Sequence, residues 1–90
     1  MYDRLFEAIL ALKDKEECAS FFDDLCTIKE LQDMSSRFDV ALMLHEGKNY
    51  NEIIEATGAS SATISRVNRC LNYGRGGYRS VIEKREKKDG

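Results

Sequence analysis

The sequence predicts an all-α fold, and three observations predict it. The chain contains no Pro, and its Gly fall only at 47, 58, 74, 76, 77 and 90, so the first forty-odd residues carry no strong helix breaker. Apolar side chains recur at three- and four-residue spacing nearly throughout, the period of an amphipathic helix. Capping residues stand where one helix should give way to the next.

Tyr2, Leu5, Phe6, Ile9 and Leu10, with Leu12 beside them, form one face of a first helix that ends near Lys13. Asp14 precedes Glu17 by three residues, a capping-box pattern, and opens a second helix with Cys18, Phe21, Phe22 and Leu25 inward. Thr27 with Glu30 repeats the device and opens the longest helix, from about Ile28 to Glu46. Leu31, Met34, Phe38, Ala41, Leu42 and His45 make one stripe of it, while Val40, Met43 and Leu44 carry the apolar surface around the cylinder. A helix apolar on more than one side is covered on more than one side. With 90 residues in all there is little chain left to do the covering, so an oligomer is expected. Gly47 is the expected stop.

Beyond it, Asn49 or Asn51 caps a short helix with Ile53, Ile54 and Thr57 inward. Gly58 marks a sharp turn, and Ser60 caps the next helix, which packs back through Ile64, Val67 and Leu71. The Gly74-Arg75-Gly76-Gly77 stretch reads as a hinge before a last helix. The expected organisation is one domain over 1–90, with dimerisation helices in 1–47, a helix-turn-helix in 49–72 and a C-terminal helix in 78–88.

Charge is divided unevenly along the chain. Residues 1–60 hold 6 basic and 13 acidic side chains, residues 61–90 hold 8 and 3, and the net values of −7 and +5 give −2 overall. Between Ser61 and Ser80 lie Arg66, Arg69, Arg75 and Arg79 and no acid. An acidic body with one basic end is the asymmetry expected of a protein that meets a polyanion. No apolar run approaches the ~20 residues that cross a bilayer. The N-terminal residues lack the pattern of a secretion signal, so a cytoplasmic protein without membrane contact is expected.

Enzymatic chemistry finds no footing. Cys18, Cys26 and Cys70 form no Cys-x-x-Cys pair, and His45 is the one histidine, so neither a metal site nor a cofactor is expected. His45 falls on an apolar stripe, where a hydrogen-bonded core histidine is expected rather than a base. No nucleophile–base–acid set or Gly-rich phosphate loop can be assembled. Cys70 is expected to be buried beside the helical pair.

With Ile64, Val67 and Leu71 inside, the outward arc of their helix runs through Ala62, Ser65, Arg66, Arg69 and Tyr73. Its first residues, Ser61, Ala62 and Thr63, are small. A helix entering a DNA major groove about 12 Å wide needs such a slim end, so that short side chains reach base edges. Helix N-termini also attract phosphate through free N–H groups and the helix dipole. Double-stranded DNA is therefore the expected partner, contacted by Ser60, Ser61, Ala62, Thr63, Ser65, Arg66 and Arg69. The alternative is a helical protein–protein interaction module that does not touch DNA.

The segment Thr57-Gly58-Ala59-Ser60-Ser61-Ala62-Thr63-Ile64-Ser65-Arg66 resembles the Trp repressor superfamily, more closely its YerC/YecD-like (TrpR-like) branch. So does Thr27-Ile28-Lys29-Glu30-Leu31 leading to Arg37. The likeness spans roughly Leu25 to Ile82. It implies a Trp repressor-like bundle with a helix-turn-helix, an intertwined homodimer whose N-terminal and long helices share one core. It also implies a transcription regulator, a repressor, whose paired heads read an operator of two-fold symmetry. In that family a small effector sits between two arginines, matched here by Arg37 and Arg66, with a threonine matched by Thr27. Two positions depart: a serine that helps hold the ligand is Cys70, a poorer acceptor, and a glycine lining the indole slot is Val67. The turn before the reading helix is also one residue shorter. L-tryptophan is therefore not expected to bind, and a smaller anionic effector or none remain the alternatives.

Overall fold

A computed structural model describes residues 1–89 and, among them, contains six helices and no strand. These are α1 (Asp3–Leu10), α2 (Lys15–Leu25), α3 (Ile28–His45), α4 (Tyr50–Thr57), α5 (Ser61–Tyr73) and α6 (Gly77–Asp89). The predicted all-α class is observed. α1 ends at Leu10 rather than near Lys13, because the Ala11 and Leu12 amides fold back onto Ala8 and Ile9 carbonyls in a tighter closing turn.

The chain forms two compact units, Met1–Gln32 and the residues from Asp33 onward. In the first, Asp14 caps α2, its carboxylate accepting the Glu17 amide at 2.9 Å, and Glu17 in turn accepts the Lys13 amide at 3.3 Å. Thr27 and Glu30 form the expected box at the start of α3, at 3.1 Å and 2.8 Å. The bonds from the Glu17, Thr27 and Glu30 amides satisfy groups that a helix start would leave without a partner. Rings pair at Tyr2–Phe6 and Phe21–Phe22, with centroids 6.1 and 5.5 Å apart. Yet no side chain of α1 or α2 is buried, and Tyr2, Phe6, Leu10, Leu25 and Ile28 stay exposed.

The second unit holds the core. Val40 and Ala41 of α3, Ile53 of α4, Ile64, Val67 and Leu71 of α5 and Ile82 of α6 form one buried cluster, flanked by the half-buried Phe38, Leu42, Met43, Leu44, Tyr50 and Tyr78. The end of α3 closes as a Schellman motif: the Lys48 amide donates to the Met43 carbonyl and the Gly47 amide to the Leu44 carbonyl, both at 3.0 Å. His45 is not a core residue. It lies at the surface, its Nε2 at 3.2 Å from Glu86 Oε2 on α6, because the stripe it continues runs past the end of the buried cluster. The glycine stretch after α5 is a three-residue connection, since Gly77 already belongs to α6.

Candidate nucleic-acid interface

Local hydrogen bonds between Asn49 and Ile64 position α5. Asn49 Oδ1 accepts the Glu52 amide at 2.9 Å, and Glu52 Oε1 accepts the Asn49 amide at 3.2 Å, a complete capping box. α4 stops at Gly58, whose φ of +73° is left-handed and whose amide donates to the Ile54 carbonyl at 2.8 Å. Open space surrounds the position, so the requirement there is conformational: a Cβ in this region costs about 1–2 kcal/mol. Thr57 stitches the corner, its hydroxyl donating to the Ile53 carbonyl at 2.8 Å and accepting the Ala59 amide at 3.1 Å. Ser60 then caps α5, accepting the Thr63 amide at 3.2 Å and donating to Thr63 Oγ1 at 3.1 Å.

The side chains that anchor α5 are those the spacing predicts: Ile64, Val67 and Leu71 are all buried. In α4 only Ile53 is. Ile54 is exposed and Thr57 half-buried, because an eight-residue helix packing on a narrow stripe has no second face to bury. The opposite face of α5 carries Ser61, Ala62, Ser65, Arg66 and Arg69, all exposed, with Thr63 half-buried at the rim. Ser60 is exposed but its hydroxyl is committed to the cap. Ser65 is tied to α4, its Oγ at 3.4 Å from the Tyr50 hydroxyl, a contact that no local pattern in the sequence signals.

The electrostatics of this helix start differ from those before it. The first turns of α1 to α4 each contain an acid, Asp3, Glu16 with Glu17, Glu30 and Glu52 in order, and that of α5 contains none. The positive end of the α5 dipole thus has no carboxylate in its own first turn, and Arg66 and Arg69 follow on the same helix.

The residues matched to an effector site are distributed differently. Thr27 lies in the N-terminal unit, where its hydroxyl serves the α3 cap. Arg37 is half-buried on α3 and Arg66 exposed on α5. Val67 is part of the buried cluster, so the space a glycine would leave there is filled by its isopropyl group. Cys70 is exposed, contrary to the expectation of burial, because it lies one position before Leu71 and off the inward stripe. It lines an open apolar groove of about 650 Å³ with Phe38, Tyr78, Val81, Arg75 and the backbone of Gly74 and Gly77. Neither Arg37 nor Arg66 lines that groove, so the cavity is not the site that the resemblance implies. Among the described residues no group of three His, Cys, Asp or Glu side chains is placed to hold a metal, and no helix is long and apolar enough to cross a membrane.

The family described as Trp repressor protein matches residues 1–86. The uncharacterized protein YerC of Bacillus subtilis (strain 168) is 57% identical over 82 residues, which cover 91% of this chain and 79% of that protein. A crystal structure of a candidate Trp repressor from Staphylococcus aureus superposes with a TM-score of 0.91 at 48% identity, covering 93% of this chain and 84% of the other. That of a TrpR-like protein from Eubacterium eligens ATCC 27750 does so with a TM-score of 0.89 at 57% identity, covering 91% and 84%. On the family match over nearly its whole length and on these relatives, the chain belongs to the Trp repressor family.

Proposed function

We propose that this chain is a sequence-specific, DNA-binding transcription regulator of the cytoplasm, in which α4 and α5 form a helix-turn-helix and α5 reads the major groove. One observation carries the reading: α5 is anchored by Ile64, Val67 and Leu71 while its slim start and two arginines stand exposed on the other side. Ser61, Ala62, Thr63 and Ser65 contact base edges, and Arg66 and Arg69 contact phosphate or guanine. Ser60 holds the helix start in shape and presents its amide end to the backbone. Family membership supports the same role. The working unit is a homodimer that sets two heads on an operator of two-fold symmetry and represses by occupying it.

The direct test is fluorescence-anisotropy titration with mixed genomic DNA fragments over a salt series. Phosphate contacts release counterions, so the logarithm of affinity should fall steeply and linearly with the logarithm of salt concentration. Absence of binding at low salt, or affinity indifferent to salt, would contradict the reading and favour a protein–protein module.

A further inference from the structure

We infer that Arg79, from α6, is a positioning residue for the reading helix and not one of its phosphate contacts. The inference rests on the DNA-binding reading above. It begins with an unmet need: the last carbonyls of a helix have no intrahelical partners, and the last turn of α5 contains no basic side chain. Gly74 answers for one carbonyl, its amide donating to Cys70 at 2.9 Å. Arg79 answers for the next. Its Nε donates to the Leu71 carbonyl at 2.9 Å, and its Nη2 donates to Asn72 Oδ1 at 3.0 Å. Asn72 carries the link back along α5, its Nδ2 donating to the Asn68 carbonyl at 3.0 Å and to Asn68 Oδ1 at 2.9 Å.

Two donors of one planar guanidinium are therefore used in fixed directions, which a lysine ammonium on a flexible stem does not reproduce. The same residue brings a positive charge to the negative end of the α5 dipole. On the same helix, Ile82 is buried in the cluster that holds Ile64, Val67 and Leu71. α6 thus grips α5 at two places, an apolar one along its side and a polar one at its end. In the connection between them Gly74 packs closely on the end of α5, where an added Cβ would collide with the Cys70 carbonyl. Arg79 therefore sets the angle at which the opposite, N-terminal end of α5 is offered to DNA. By sequence alone it belongs with Arg66 and Arg69 in one acid-free basic stretch. The bonds separate it from them.

The test compares Arg79→Ala, Arg79→Lys and Arg69→Ala in the full chain. Hydrogen exchange is measured without DNA, and salt-dependent binding with a selected site and with random DNA. For Arg79→Ala, faster exchange is expected at the Gly74 amide and through the last turn of α5. The preference for the selected site should fall at least tenfold while the salt slope on random DNA stays unchanged. Arg79→Lys should recover only part of the preference. A salt slope shallower by about 0.9 in Arg79→Ala, with exchange unaltered, would show a phosphate contact instead and overturn the assignment. Unaltered exchange also overturns it if wild-type protein fails to bind DNA, whereas faster exchange in that case leaves the grip on α5 standing and removes only the DNA-binding reading.

Discussion

Ala62 is the second residue of α5, exposed, with only small side chains beside it at Ser61 and Thr63. If this end enters the groove, Ala62→Leu should remove the preference for the selected site while leaving weak, salt-sensitive binding to any DNA, since a lost base contact costs about 1–3 kcal/mol. Loss of all binding in a folded variant would assign the position to the backbone instead. Arg69 makes the complementary case. It is exposed and opposite the anchoring stripe, so Arg69→Ala should leave the melting temperature within about 2 °C while binding weakens on every sequence, with a log–log salt slope shallower by about 0.9. At this scale, what could be read in advance was what the chain decides locally. Asp14, Thr27 and Ser60 each cap the helix assigned to them, and of Asn49 and Asn51, both offered for α4, it is Asn49 that caps it, because a cap needs only its own backbone and a partner three residues on. His45 with Glu86, 41 positions apart, and Tyr50 with Ser65 could not be read, because only the fold brings them together.

Elements were legible where one stripe decides burial. In α5 the spacing of Ile64, Val67 and Leu71 leaves a single inward face, and the exposed arc follows from it. In α4 the sequence put both Ile53 and Ile54 inward, and only Ile53 is buried, because tertiary contact selects between the adjacent residues. The same stripe bears on ligand binding. Val67 is committed to the core, and Cys70 lines the apolar groove, which neither Arg37 nor Arg66 lines. L-tryptophan at millimolar concentration should therefore neither raise the melting temperature nor tighten DNA binding. Calorimetry has the sensitivity to decide, because a ligand at a hundred times its dissociation constant stabilises the native state by about 2.7 kcal/mol. A tryptophan-dependent shift abolished by Arg66→Ala would restore a ligand-gated mechanism.

Over the whole molecule, the core is gathered in residues 40–82 and the first 32 residues bury no side chain. Tyr2, Phe6, Leu10, Leu25 and Ile28 are exposed. Covering one such Leu or Ile contributes roughly 1.5–3 kcal/mol, so a second copy packed on these helices would supply stability that the single chain lacks. Sedimentation at micromolar concentration should give about twice the chain mass of 10.3 kDa, and unfolding should depend on protein concentration. A monomer with a sharp, concentration-independent transition would contradict this. The expectation of a partner could be read from the apolar breadth of α3. How it packs could not, because helical spacing shows that a face must be covered and not by what. Dimer and reading helix meet in one measurement, the selection of bound sites from random double-stranded DNA by the purified protein. Two heads related by two-fold symmetry predict an inverted repeat whose half-sites lie about one helical turn, roughly 34 Å, apart, or a multiple of it. Enrichment of a single asymmetric site, or of no sequence at all, would contradict the account.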